Sequence, residues 1–170
     1  GALDDRFDLP PWISIWPPVL AALMLVLAGI GVEKLTNPFG GVLLLTTWQS
    51  DLLVFLWMMA VMYTTKFLDG LDGLATSVST IGVLMIMLLT LTAAYYQPDV
   101  SVLSAVVIGA LLGFFFWNIH PASIFLGEGG STFVGFALGT LAIISGGKLV
   151  TALLVLGIPL LDAMWVIVRR

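Results

Sequence analysis

Lys66-Phe67-Leu68-Asp69-Gly70-Leu71-Asp72-Gly73-Leu74-Ala75 interrupts a chain that is otherwise close to continuous hydrocarbon. One apolar run, over 52–65, leads into it and another, over 75–96, leads out. If its second half is helical, Asp69 and Asp72 stand three residues apart on nearly the same face. A carboxylate at membrane depth costs at least ~2.5–3.5 kcal/mol, so acids set this close to hydrocarbon call for a functional reason.

The surroundings are membrane-like throughout. The 170 residues are 60% hydrophobic and 9% charged, and the mean hydropathy is +1.14. A soluble domain of this length has no core large enough to hide so much apolar surface. Six runs emerge, at about 13–32, 52–65, 75–96, 102–117, 131–145 and 149–168. Open strands cannot cross lipid and no barrel-type alternation is present, so the expected fold is all-α: a polytopic bundle of about six transmembrane helices in one integral-membrane domain over 1–170. Pro17 and Pro18 are expected in the first turns of the first helix, where proline is tolerated. Ser50 or Asp51 is expected to cap the second. Tyr95-Tyr96 read as interfacial aromatics closing the third. Gly135 and Gly139 form a GxxxG step that lets a neighbouring helix approach closely.

Composition also excludes chemistries. With no cysteine and a single histidine, His120, there is no thiol catalyst, disulfide, zinc-thiolate centre or multi-histidine metal site. A net charge of −4 argues against nucleic acid as a partner. The opening Gly1-Ala2-Leu3 and the closing Arg169-Arg170 read as the ends of a piece of a longer chain.

Counting spans divides the connections between two sides. Residues 1–12, 66–74, 118–131 and 169–170 share one side, and 33–48, 97–101 and 146–148 share the other. Arg6, Lys66, Arg169 and Arg170 fall on the first side against Lys34 and Lys148 on the second, which makes the first side cytoplasmic. Asp4, Asp5, Asp8, Asp69, Asp72 and Glu128 all land there. Asp162 lies less than two turns away, about 10 Å along a helix. Span parity alone therefore carries three separate acidic motifs to one surface.

Each motif has a chemistry. Asp4-Asp5 beside Arg6 could ligate Mg²⁺ or hold a proton for base catalysis, or could be a solvated flank of the first helix. Gly70 and Gly73 let backbone N–H groups approach an anion. Asn118-Ile119-His120-Pro121-Ala122-Ser123-Ile124-Phe125-Leu126-Gly127-Glu128-Gly129-Gly130-Ser131 reads as a glycine-rich, anion-receptive turn before a helix that starts near Ser131. Within it Asn118 offers both a donor and an acceptor. His120 read alone is a structural histidine more often than a catalyst, and Phe125 is an interface anchor unless a nucleotide stacks on it. Asp162 could pair with Arg169 or join the acidic site.

These motifs resemble, in order, those of the polyprenyl-phosphate N-acetylhexosamine-1-phosphate transferases, the family that includes the translocase making the first lipid intermediate of peptidoglycan. Leu3-Asp4-Asp5-Arg6, Phe67-Leu68-Asp69-Gly70-Leu71-Asp72-Gly73-Leu74-Ala75 and Asn118 through Ser131 carry the resemblance, with a weaker match at Ile158-Pro159-Leu160-Leu161-Asp162. It implies Mg²⁺-dependent transfer of a sugar-1-phosphate, with Mn²⁺ able to stand in, from a UDP-sugar to a polyprenyl (undecaprenyl) phosphate in the bilayer. UMP is released, and the site lies on the cytoplasmic face of the inner membrane. It further implies Asp4, Asp5, Asp69 and Asp72 as catalytic-site residues, Glu128 and Asp5 as metal ligands, and Lys66, Asn118, His120 and Phe125 as substrate contacts. Assembly as a homodimer is compatible with it. The 36–41 pattern and Asp4-Asp5-Arg6 point to the N-acetylglucosamine-1-phosphate group ahead of the muramoyl-pentapeptide group.

The chain departs from the family pattern in several places. Glu128 stands where the family has Asp, and Tyr63 and Lys66 stand where many members have Asn. The Lys and Gln usual early in the first span are replaced around Ser14 and Pro18. Rival readings are an acid-lined transporter or channel, a lipid phosphotransferase using a nucleotide-alcohol donor, and an inactive paralogue acting as a scaffold.

Overall fold

The computed structural model describes residues 11–32, 34–36, 42–146 and Gly157. Five helices form here: α1 (Pro11–Leu27), α2 (Thr47–Leu68), α3 (Leu74–Thr90), α4 (Pro98–Asn118) and α5 (Gly127–Ile144). A short antiparallel ribbon, β1 (Lys34–Thr36) on β2 (Val42–Leu44), lies between α1 and α2 with Leu35 opposite Leu43. This ribbon is the one departure from an all-helical chain among the described residues, and it falls outside the apolar runs.

Three helices, α2, α4 and α5, are long and apolar enough to cross a bilayer. The apolar helices over Ile13–Leu27 and Leu74–Thr90 are shorter. Of the six expected spans, the described residues show three full-length helices and two shorter ones, and the sixth run, apart from Gly157, lies outside them. The third run stops early: α3 ends at Thr90 and a 3₁₀ turn takes up Ala93–Tyr95. Thr90 Oγ1 is 2.9 Å from Ser101 Oγ, which ties the end of α3 to the first turns of α4. Tyr95 and Tyr96 are exposed beside this turn.

Two local expectations are corrected. Pro17 and Pro18 lie inside α1 rather than in its first turn, since the helix already runs from Pro11. They leave two helical carbonyls one turn back without their N–H partners. At the start of α2 the cap is Thr46, not Ser50 or Asp51, and Gln49 Oε1 accepts from the Thr46 N–H at 3.0 Å and its hydroxyl at 2.7 Å. Ser50 is buried instead, and its Oγ accepts from the Val32 N–H at 2.9 Å, pinning the segment after α1 against α2.

α2 is the centre of the bundle. Val54, Met58, Val61 and Met62 on it are at most 1% exposed and pack with Leu138 and Ala142 of α5, Val83 and Ile86 of α3, and Ala22 of α1. The small-residue step works as its spacing predicts. A Cβ on Gly135 would sit 2.7 Å from Met62 Cα, and one on Gly139 would sit 2.8 Å from Met58 Sδ. At this crossing Trp57 Nε1 donates to the Gly139 carbonyl at 3.4 Å. Three buried hydroxyls are satisfied within their own helix: Thr64 donates to Ala60 O, Thr65 to Val61 O and Thr90 to Ile86 O.

The outward faces carry the opposite of a soluble surface. Leu27, Leu56, Val106, Phe116 and Phe133 are all more than half exposed. A bilayer removes from water the apolar area that the bundle itself leaves open. The chain is an integral membrane protein.

Candidate active site

The turn 69–73 joins α2 to α3, and the segment 119–126 joins α4 to α5. These two connections meet at one end of the bundle. Gly73 makes the meeting possible. Its φ is +70°, in the left-handed region that favours glycine, and an added Cβ would contact Phe115 Cε2 at 3.4 Å and the Asn118 carbonyl at 3.5 Å. Just beyond, Thr76 Oγ1 donates to Asn118 Oδ1 at 2.7 Å. Asn118 Nδ2 donates to Ile124 O at 3.0 Å. Asn118 is 1% exposed. Through these two bonds Asn118 folds the 119–126 loop back onto α3.

The two acids of the opening stretch diverge instead of sharing a helical face, because 69–73 is a turn and helix resumes only at Leu74. Asp72 reaches the 119–126 loop. His120 Nδ1 lies 2.8 Å from Asp72 Oδ2, and the Ala122 N–H donates to the same oxygen at 3.2 Å. The His120 hydrogen bond, followed by that from Ala122, holds the Asp72 carboxyl below its ordinary pKa. Since the carboxylate can only accept, Nδ1 carries the proton in this contact. His120 itself is exposed and lies in the loop after α4, where its side chain is held by Asp72.

Asp69 turns the other way, toward the start of α5. Burial raises its pKa, and the backbone N–H groups of Gly127 and Leu126 partly offset that by stabilising the anion. The positive φ of Gly127, +66°, lets the chain turn into α5 beside it. α5 begins at Gly127, four residues ahead of the expected start at Ser131, so Glu128 lies in the first helical turn. A carboxylate is favoured there by the helix dipole. Ser131 is buried inside the helix and donates to Gly127 O at 2.7 Å.

Glu128 meets α2 directly. Lys66 Nζ is 2.6 Å from Glu128 Oε1, with the two side chains 25% and 39% exposed. Lys66 is in the last turn of α2, where a cation complements the carbonyl end of the helix. Phe125 is exposed on the loop before α5. Asp4, Asp5, Asp8, Asp162, Arg169 and Arg170 lie outside the described residues.

Among the described residues no three metal-binding side chains gather into one cluster. Mg²⁺ needs no such cage: it keeps waters and takes one or two carboxylates together with substrate phosphates. Glu128, partly exposed at the mouth of the site, is an oxygen donor of that kind, so the donor chemistry fits a metal held jointly with an acid from elsewhere in the chain. Sequence reasoning did not find Thr76, which positions Asn118, or the direct pairing of Lys66 with Glu128. Nothing in the local pattern marks Thr76, whereas two departures from one family pattern on the same face were a usable hint of the Lys66–Glu128 pair.

The family model described as Glycosyl transferase family 4 matches residues 1–146. The chain belongs to this family. It is 33% identical to a probable undecaprenyl-phosphate N-acetylglucosaminyl 1-phosphate transferase of Bacillus subtilis, over all of this chain and 49% of that protein. It is 32% identical to a decaprenyl-phosphate N-acetylglucosaminephosphotransferase of Mycobacterium tuberculosis, over all of this chain and 48% of the relative. A phospho-N-acetylmuramoyl-pentapeptide-transferase of Clostridium kluyveri is 30% identical over 98% of this chain and 56% of its own length. This glycosyl transferase family 4 chain thus spans about half the length of the curated relatives it matches.

Proposed function

We propose that this chain is part of a phosphoglycosyltransferase that moves an N-acetylhexosamine-1-phosphate, N-acetylglucosamine-1-phosphate first among the candidates, from a UDP-sugar to a membrane polyprenyl phosphate, releasing UMP for cell-wall or surface-glycan synthesis. The observation that carries the reading is the convergence of the Asp69–Asp72 turn and the 118–128 segment at one end of the bundle, in a chain of this family. The site is assigned to the cytoplasmic side of the inner membrane by the excess of Lys and Arg that span counting gives its side.

The reaction brings an anionic lipid phosphate against a diphosphate. Its charge must be neutralised and its parts held in line. Mg²⁺, held by Glu128 with Asp5, would supply Lewis-acid neutralisation of the diphosphate. The chain's own residues orient. Asp72, held by His120 and Ala122, fixes the 119–126 loop and with it the position of Phe125, which is available to a uracil face. Asp69 lines the start of α5, and the exposed apolar helix faces leave the isoprenoid tail in lipid. Asp4 and Asp5 are the candidates for accepting the lipid phosphate's proton.

Identity over the full chain to two N-acetylglucosamine-phosphate transferases favours that donor. The muramoyl-pentapeptide donor is the second reading, favoured by the Clostridium relative. Membranes bearing the protein, supplied with polyprenyl phosphate and one of the two labelled UDP-sugars, with or without Mg²⁺, distinguish them. The expected result is Mg²⁺-dependent lipid-linked label from UDP-N-acetylglucosamine. No lipid product from either donor refutes the enzyme reading.

A further inference from the structure

The Lys66–Glu128 contact is a cross-helix ion pair at the one carboxylate among the described residues that the metal reading assigns. Its geometry is held by backbone packing rather than by chance approach of two surface side chains. α5 lies against α2 through Gly135 and Gly139, with no room for a Cβ between them. That packing fixes the first turn of α5 beside the last turn of α2, and the ammonium reaches Oε1 at 2.6 Å. The adjacent helix ends favour both charges, a cation at the C-terminus of α2 and an anion at the N-terminus of α5. Asp69, three residues from Lys66 along the chain, faces the same helix start from the turn.

We propose that Lys66 is a tethered counter-ion that occupies the Glu128 carboxylate until a divalent cation and an anionic diphosphate arrive together, whereupon the ammonium leaves Glu128 and pairs with the phosphate. This rests on the proposed metal role of Glu128. A divalent ion alone must displace the ammonium from Oε1 and then sit beside an uncompensated Lys66, which opposes its binding. A diphosphate brings negative charge for both cations and removes that opposition. Metal and nucleotide-sugar therefore bind with positive coupling, and by linkage each strengthens the other by the same factor. Lys66 is the coupling residue. The two departures from the family pattern, Lys66 and Glu128, are then one device: the longer acid reaches the ammonium across the α2–α5 seam.

Mn²⁺ binding followed by electron paramagnetic resonance in the purified, bilayer-reconstituted protein tests this without turnover. The titration is run on wild type and Lys66→Met, each with and without UDP-N-acetylglucosamine. Lys66→Met is expected to bind free Mn²⁺ about fivefold or more tighter than wild type, and to lose most of the gain in Mn²⁺ affinity that the nucleotide-sugar gives wild type. Lys66→Arg is expected to keep that gain. Equal or weaker Mn²⁺ binding in Lys66→Met, with saturable binding in wild type, overturns the counter-ion role and leaves the metal reading standing. Absence of saturable Mn²⁺ binding in wild type, with and without the nucleotide-sugar, overturns the metal reading and the counter-ion role with it. Should Lys66→Met not survive reconstitution, Lys66→Gln keeps a polar end and removes the charge, and carries the same two expectations.

Discussion

Asp69 and Asp72 are one turn apart in sequence and opposite in electrostatics. Asp72 has its pKa lowered, first by His120 and then by the Ala122 N–H. A depressed carboxylate contributes stability above its unfolded-state pKa and loses it as pH falls through the folded value. The tie between the two loops is thus whole at neutral pH and fails only in acid. His120→Ala should move the onset of acid unfolding to higher pH, read by intrinsic tryptophan fluorescence against pH. An unchanged acid limb would mean that the Asp72–His120 contact contributes nothing to the fold. Asp69 has its pKa raised by burial. For a raised pKa the sign reverses: the favourable contribution is present below the unfolded-state pKa and is lost as pH rises through the folded one. At neutral pH the ionised Asp69 is therefore a cost to stability, which a functional residue can carry. Asp69→Asn should raise Tm at neutral pH, with the gain shrinking as pH is lowered, as checked by thermal melts across pH.

At the scale of elements, the α2–α5 crossing and the α4 surface make opposite predictions for the same substitution. Gly135→Ala forces a Cβ to within 2.7 Å of Met62 Cα, which is backbone and cannot rotate away. Overpacking of this kind costs about 1–3 kcal/mol. Gly109→Ala and Gly113→Ala meet nothing within 4 Å. There the gain in helix propensity, roughly 0.5–1 kcal/mol, is unopposed. Melts of the three variants in one detergent should separate them in sign. Gly135 and Gly139 were legible in sequence because a four-residue spacing of glycines has one packing consequence. The apolar runs were legible for the same reason, since hydropathy reports directly on burial in lipid. Helix ends were not. The start of α5 moved to Gly127 and the end of α3 to Thr90, because these boundaries are set by a left-handed glycine and by a threonine–serine contact between helices, neither of which has a one-dimensional signature. The positions of Asp69 and Asp72 suffered from the same gap: a helical reading put them on one face, and the turn sends them to two different partners.

For the whole molecule, span counting placed 66–74 and 118–131 on one side, and the hydrogen bonds that Asp72 accepts from His120 and Ala122, with the Lys66–Glu128 ion pair, join those segments. Parity is a topological property and survives errors of several residues at each helix end. What it cannot supply is which side chain faces which: Asn118 meets Thr76 and Ile124, and Lys66 meets Glu128. The central claim is that this joined surface is where a nucleotide-sugar and a polyprenyl phosphate react. Transfer of label from UDP-N-acetylglucosamine to polyprenyl phosphate, compared between wild type and Asp69→Asn in reconstituted bilayers, tests it most directly. The expected result is a Mg²⁺-dependent lipid product that falls about 100-fold in Asp69→Asn, while that variant melts no lower than wild type. Undiminished transfer by Asp69→Asn would contradict the account.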